Sequence, residues 1–120
     1  METILGNELR KQRTSTKVTL RQVANIVGCT APYLHRIEAG CCAPTDQAFL
    51  IKLAQALMLN HKEQCQFIEY ASESQRTIRI SKAVGAEALR IINQTARNLE
   101  MLEQEDLQKI EQILNNARQK

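Results

Sequence analysis

At 120 residues, with two Phe, two Tyr and no Trp, the chain is long enough to bury an aliphatic core without disulfides or metals. It reads as one compact all-α domain with at most a small appendage. The net charge is only +3, but residues 1–45 hold six Lys/Arg against three Asp/Glu, a basic N-terminal third that suits nucleic acid.

The first helix is expected over residues 3–14, with Leu5 and Leu9 at i, i+4 facing the core and Arg10, Lys11 and Arg13 near its C-terminal end, where cations suit the helix dipole. Ser15–Lys17 connect, and Val18 is expected to plug the core. Thr19 then caps a second helix to about Val27, with Gln22 completing a capping box and Val23, Ala24 and Val27 making one apolar face. Gly28 ends it in a left-handed conformation. Thr30 caps a third helix to about Ala39, with Pro32 in its first turn. Leu34 and Ile37 point inward, which leaves Ala31, Pro32, His35 and Arg36 outward. Two short helices held at an angle, with Arg and His on the exposed face of the second, make a shape that enters a DNA major groove.

A fourth helix is expected over residues 45–59, capped by Thr45 with Asp46 in its first turn and with Phe49, Leu50, Leu53, Ala54 and Leu57 as a broad apolar stripe. Asn60, with Glu63 at N3, caps a fifth that runs to about residue 73, with Cys65, Phe67, Ile68 and Ala71 at its apolar positions.

The stretch Gly6-Asn7-Glu8-Leu9-Arg10-Lys11-Gln12-Arg13 resembles the G-x-x-L-R-x-x-R opening of lambda-repressor-like, XRE-type (Cro/C1-type) helix-turn-helix domains. Thr19–Ala24 and residues 28–40, G-C-T-A-P-Y-L-H-R-I-E-A-G, are similar to that family's second and third helices. The resemblance covers about residues 4–59. It implies a five-helix DNA-binding domain in which Arg13 and Glu38 form a buried ion pair between helix 1 and the end of the recognition helix. It places Ala31, Pro32 and Arg36 at base edges, with His35 beside them. Thr30, Tyr33 and the Gly40–Pro44 loop match phosphate-contacting positions, and Arg10, Lys17, Arg21 and Thr45 join them as expected phosphate contacts. Arg36 is the sharpest candidate, because a guanidinium binds guanine O6 and N7 with two parallel hydrogen bonds. Three departures stand out. Leu20 replaces a Gln that touches DNA in many members, Lys17 replaces a frequent turn Gly, and Cys41 and Cys42 replace polar or basic loop residues.

Residues 74–80 are read as a linker between a DNA-binding domain at 1–73 and a C-terminal region at 81–120. The basic run Arg76, Arg79 and Lys82 there reads as solvated, with an accessory phosphate contact as the alternative. Helicity is expected to resume with Ser81 as cap and an apolar stripe from Ala83 to Leu102. After the Glu103–Asp106 cluster, a last helix is expected to about Ala117. Leu89, Ile92, Ala96, Leu99, Leu107, Ile110 and Leu114 are the expected dimerisation positions. Two copies would set two recognition helices about 34 Å apart, one DNA turn.

The leading reading is therefore a dimeric, sequence-specific regulator of double-stranded DNA, a repressor acting on a palindromic operator. The alternative is an antitoxin-like or partner-binding protein whose C-terminal helices bind another protein while the helix-turn-helix autoregulates. No Gly-rich phosphate loop, metal-ligand cluster or nucleophile–base constellation supports an enzyme, a metal or a cofactor. The four cysteines, Cys29, Cys41, Cys42 and Cys65, include no C-x-x-C pair. They read as thiols in a reducing cytoplasm, with a redox signal at Cys41–Cys42 as the alternative. No apolar run of membrane-spanning length is present, and a cytoplasmic protein without a membrane partner is expected.

Overall fold

The computed structural model describes residues 2–119, an all-α chain with no strand among those residues. The helices are α1 (Ile4–Ser15), α2 (Leu20–Val27), α3 (Ala31–Glu38), α4 (Gln47–Ala56), α5 (His61–Ser72), α6 (Ala86–Arg97) and α7 (Gln104–Arg118), with a 3₁₀ turn at Leu99–Met101. They fall into two compact units, the first reaching Ile78 and the second beginning at Arg79. None of these helices is long and apolar enough to cross a membrane.

In the first unit, α1 packs on α3 and α5, and α4 packs on α2 and α5. The layers meet in an aliphatic core around Leu5, Leu9, Val23, Leu34, Ile37, Leu53 and Leu57, with Phe67 of α5 as its one fully buried aromatic ring. Gly6 sets the closest approach. A Cβ there would lie 2.5 Å from the Ile37 carbonyl oxygen and 2.7 Å from that of Glu38, both backbone atoms at the end of α3. A side chain would therefore force the two helices apart.

Local signals define most helix ends. The Thr19 hydroxyl accepts from the Gln22 N–H while the Gln22 side chain accepts from the Thr19 N–H, and Asn60 and Glu63 repeat the arrangement on α5. Gly28 closes α2 at φ +88°. Three further helices close with the paired hydrogen bonds of a Schellman motif. In α3, Cys41 N–H donates to Arg36 O and Gly40 N–H to Ile37 O. In α1 and α4 the left-handed position is taken by Lys17 (φ 58°) and Met58 (φ 61°), where glycine would carry no Cβ penalty.

Four expectations are corrected. Asp46, not Thr45, caps α4: its carboxylate accepts from the Ala48 N–H at 3.0 Å. Cys65 is exposed and does not join the core face of α5. Helix α6 begins at Ala86 behind Gly85, because the Ser81 hydroxyl accepts from Ala83 N–H and closes a local turn in place of a cap. The stripe expected to run helically to Leu102 breaks after Arg97 into the 3₁₀ turn.

The first unit also takes in residues at the start of the expected linker. Ser74 is buried: its hydroxyl accepts from the Leu5 N–H at 3.1 Å and donates to the Tyr70 carbonyl at 2.7 Å. It thus satisfies an N–H of the first turn of α1 from 69 residues away. Ser74→Ala is expected to strand that buried N–H and lower the stability of the first unit by about 1–3 kcal/mol, read by chemical denaturation.

Candidate nucleic-acid interface

Helix α3 has one face in the core and one in solvent. Leu34 and Ile37 are fully buried, Pro32, His35 and Arg36 are exposed, and Ala31 is half-buried against the core. The Thr30 hydroxyl caps the N-terminus by accepting from Tyr33 N–H at 3.3 Å. The turn from α2 into α3 is three residues long, Gly28–Thr30, and holds the two helices of a helix-turn-helix.

The far end of α3 is held by charge. Glu38 is only 4% exposed. Its carboxylate accepts from both sides of the Arg13 guanidinium, Nε to Oε2 at 3.0 Å and Nη2 to Oε1 at 3.1 Å. Arg13 Nη1 also donates to the Val18 carbonyl at 3.2 Å, so one side chain ties α1, the connection to α2 and the end of α3. Arg10 reaches the same carboxylate at 3.4 Å from a more exposed position, so a phosphate contact by Arg10 would compete with Glu38.

Tyr33 splits its role between packing and surface. Its ring meets Phe49 of α4 edge-on, with centroids 5.7 Å apart. Burial first, and then the neighbouring Cys42 and Cys29, push the Tyr33 hydroxyl above the ordinary tyrosine value, while the Arg36 guanidinium pulls it back. Cys29 is likewise pushed up by burial. All four cysteines are free thiols, Cys41 and Cys65 exposed, Cys29 and Cys42 half-buried.

Around α3, Lys17, Arg21, Thr30 and Thr45 are exposed, whereas Leu20 turns inward onto the core. In the Gly40–Pro44 loop, the N–H groups of Gly40 and Cys41 are spent on closing α3, so neither is available to a phosphate. The loop is anchored by Gln75, whose amide donates to the carbonyls of Ala43 at 3.2 Å and Ala71 at 2.9 Å. Ser74 and Gln75 are the supports that sequence reasoning missed. Their partners lie up to 69 and 32 residues away, and no local pattern marks them.

The helix-turn-helix domain family matches residues 4–64, just over half of the chain. The chain belongs to this DNA-binding family. No curated protein and no solved structure matches it. The helix-turn-helix protein carries the matched region on α1 to the first turn of α5, the segment that holds the Arg13–Glu38 fork and the exposed face of α3. Members of such DNA-binding families are typically not enzymes, and the described residues hold no group of three or more His, Cys, Asp or Glu able to bind a metal ion.

Two predictions follow from this geometry. Arg13→Met leaves the buried Glu38 carboxylate with the longer Arg10 contact alone and is expected to cost about 3 kcal/mol, whereas Arg13→Met with Glu38→Leu costs less, as a double-mutant cycle in denaturant would show. Because Tyr33 loses its proton at higher pH in the folded state than in the unfolded chain, its contribution is full below the ordinary tyrosine value of about 10 and is lost as pH rises above it. Tyr33→Phe is expected to flatten that alkaline fall in melting temperature.

Proposed function

We propose that this protein is an XRE-type transcriptional regulator that binds a palindromic operator as a homodimer and acts as a repressor. The observation that carries the reading is the exposed Arg36 on the outward face of a helix whose other face and far end are immobilised by the core and by the Arg13–Glu38 fork. A rigid short helix with a guanidinium on its open face fits the major groove, where Arg pairs with guanine through two hydrogen bonds.

The remaining contacts divide by chemistry. Pro32 and Ala31 offer apolar surface to thymine methyl groups, and His35 lies beside them. Lys17, Arg21, Thr30 and Thr45, with the polar end of Tyr33, serve the phosphates and supply salt-dependent affinity. So few base readers on one helix give modest selectivity, which is why the reading takes two copies and two half-sites.

Selection of bound duplexes from a random pool tests this. The expected result is an inverted repeat with half-site centres one helical turn apart, and a single unrepeated site or no enrichment would reject it. Arg36→Ala is expected to lose about 1–3 kcal/mol of discrimination at one guanine per half-site while leaving the melting temperature unchanged. Footprints and affinities equal to those of the unsubstituted protein would remove Arg36 as a base reader.

A further inference from the structure

Among its described residues the second unit has two α-helices and no buried side chain. No residue of α6 or α7 is buried, and Leu89, Ile92, Leu107 and Leu114 are 41%, 46%, 42% and 54% exposed. Yet Leu89, Ile92 and Ala96 on α6, and Leu107, Ile110 and Leu114 on α7, each recur at spacings of three and then four residues, the pattern of a seam that packs against another helix. The 3₁₀ turn at Leu99–Met101 stands between the two helices, and they share no packed face within the chain. Helices of 12 and 15 residues with an open apolar stripe are marginal in water by themselves.

We propose that a second copy of this chain fills both seams in a crossed arrangement, α6 of each chain lying against α7 of the other. This rests on the homodimeric reading above and names its pairing. The flanking charges decide between pairings. The α7 seam is bordered by Asp106 and Glu111, so laying α7 on a second α7, in either direction, sets acid against acid. The α6 seam is bordered by Ala88, Asn93 and Thr95, which carry no charge. The charges within the helices lean the same way: α6 carries Arg90 and Arg97 against Glu87, and α7 carries Glu105, Asp106 and Glu111 against Lys109 and Arg118. Pairing α6 with α6 would leave the two acidic seams to each other. The crossed arrangement covers all four seams and sets neither acidic seam against the other.

Complementation between two full-length variants tests the pairing without assuming a register. Ile92→Asp spoils the α6 seam and Leu114→Asp the α7 seam, and light scattering behind size exclusion reads the mass. The unsubstituted protein is expected as a dimer and each variant alone as a monomer, because every crossed pair then contains one spoiled helix. An equimolar mixture, with one variant carrying a size tag, is expected to form a heterodimer, since the intact α7 of the first meets the intact α6 of the second. Leu89→Asp with Leu107→Asp repeats the test one turn away on α6 and two turns away on α7, and circular dichroism with a thermal melt checks that the first unit stays folded in each variant. A mixture that remains monomeric overturns the crossed pairing while the dimer stands. Variants that remain dimers remove the seams from the interface. An unsubstituted protein that runs as a monomer overturns the homodimeric reading itself.

Discussion

The buried carboxylate of Glu38 is the constraint on which the first unit turns. A charge at that depth is tolerable only with a matched partner, and Arg13 meets it with two parallel hydrogen bonds. The partner is on α1, so the end of α3 can lie in one place. Gly6 allows the backbones to approach closely enough for the fork to close, its missing Cβ leaving room for the Ile37 and Glu38 carbonyls. An eight-residue helix has little stability of its own, and α3 takes its rigidity from being clamped at both ends.

That clamp separates structure from recognition along α3. Inward positions are spent on Leu34, Ile37 and Glu38, and the outward ones are left to Pro32, His35 and Arg36. Tyr33 straddles the boundary, half-buried with its ring edge-on against Phe49. The first two N–H groups of the exit loop already close the helix and are not free for another acceptor. Under the proposed function, recognition by one copy is lean, and the unburied stripes of α6 and α7 take their importance from that economy.

The supports are distributed far from the surface they serve. Ser74 completes the first turn of α1, and Gln75 fastens the loop that leaves α3 to the end of α5. The segment following α5 is thus part of what holds the end of α3 in position. Lys17 and Met58 add a smaller cost, each occupying a left-handed position with a side chain in place of a hydrogen.

By itself the sequence determined what is settled within about four residues of chain. The Thr19–Gln22 and Asn60–Glu63 boxes, the Gly28 turn, the apolar stripes of α1 to α4, that of α5 apart from Cys65, and the split between Leu34/Ile37 and Arg36 all rest on local hydrogen bonds or on a 3.6-residue period, and all are in the structure. Where two local solutions had similar free energy, reading failed: Asp46 outcompeted Thr45 as a cap, and Ser81 closed a turn instead of starting a helix. The Arg13–Glu38 pair was readable through resemblance, but its added bond to Val18 and its sharing of Glu38 with Arg10 were not. Only tertiary structure decided that Ser74 and Gln75 belong to the first unit, that Gly6 is a contact point between helices, and that Cys65 faces solvent. Each depends on which distant backbone arrives beside the residue, and no pattern along the chain encodes a neighbour that lies 30 to 70 residues away.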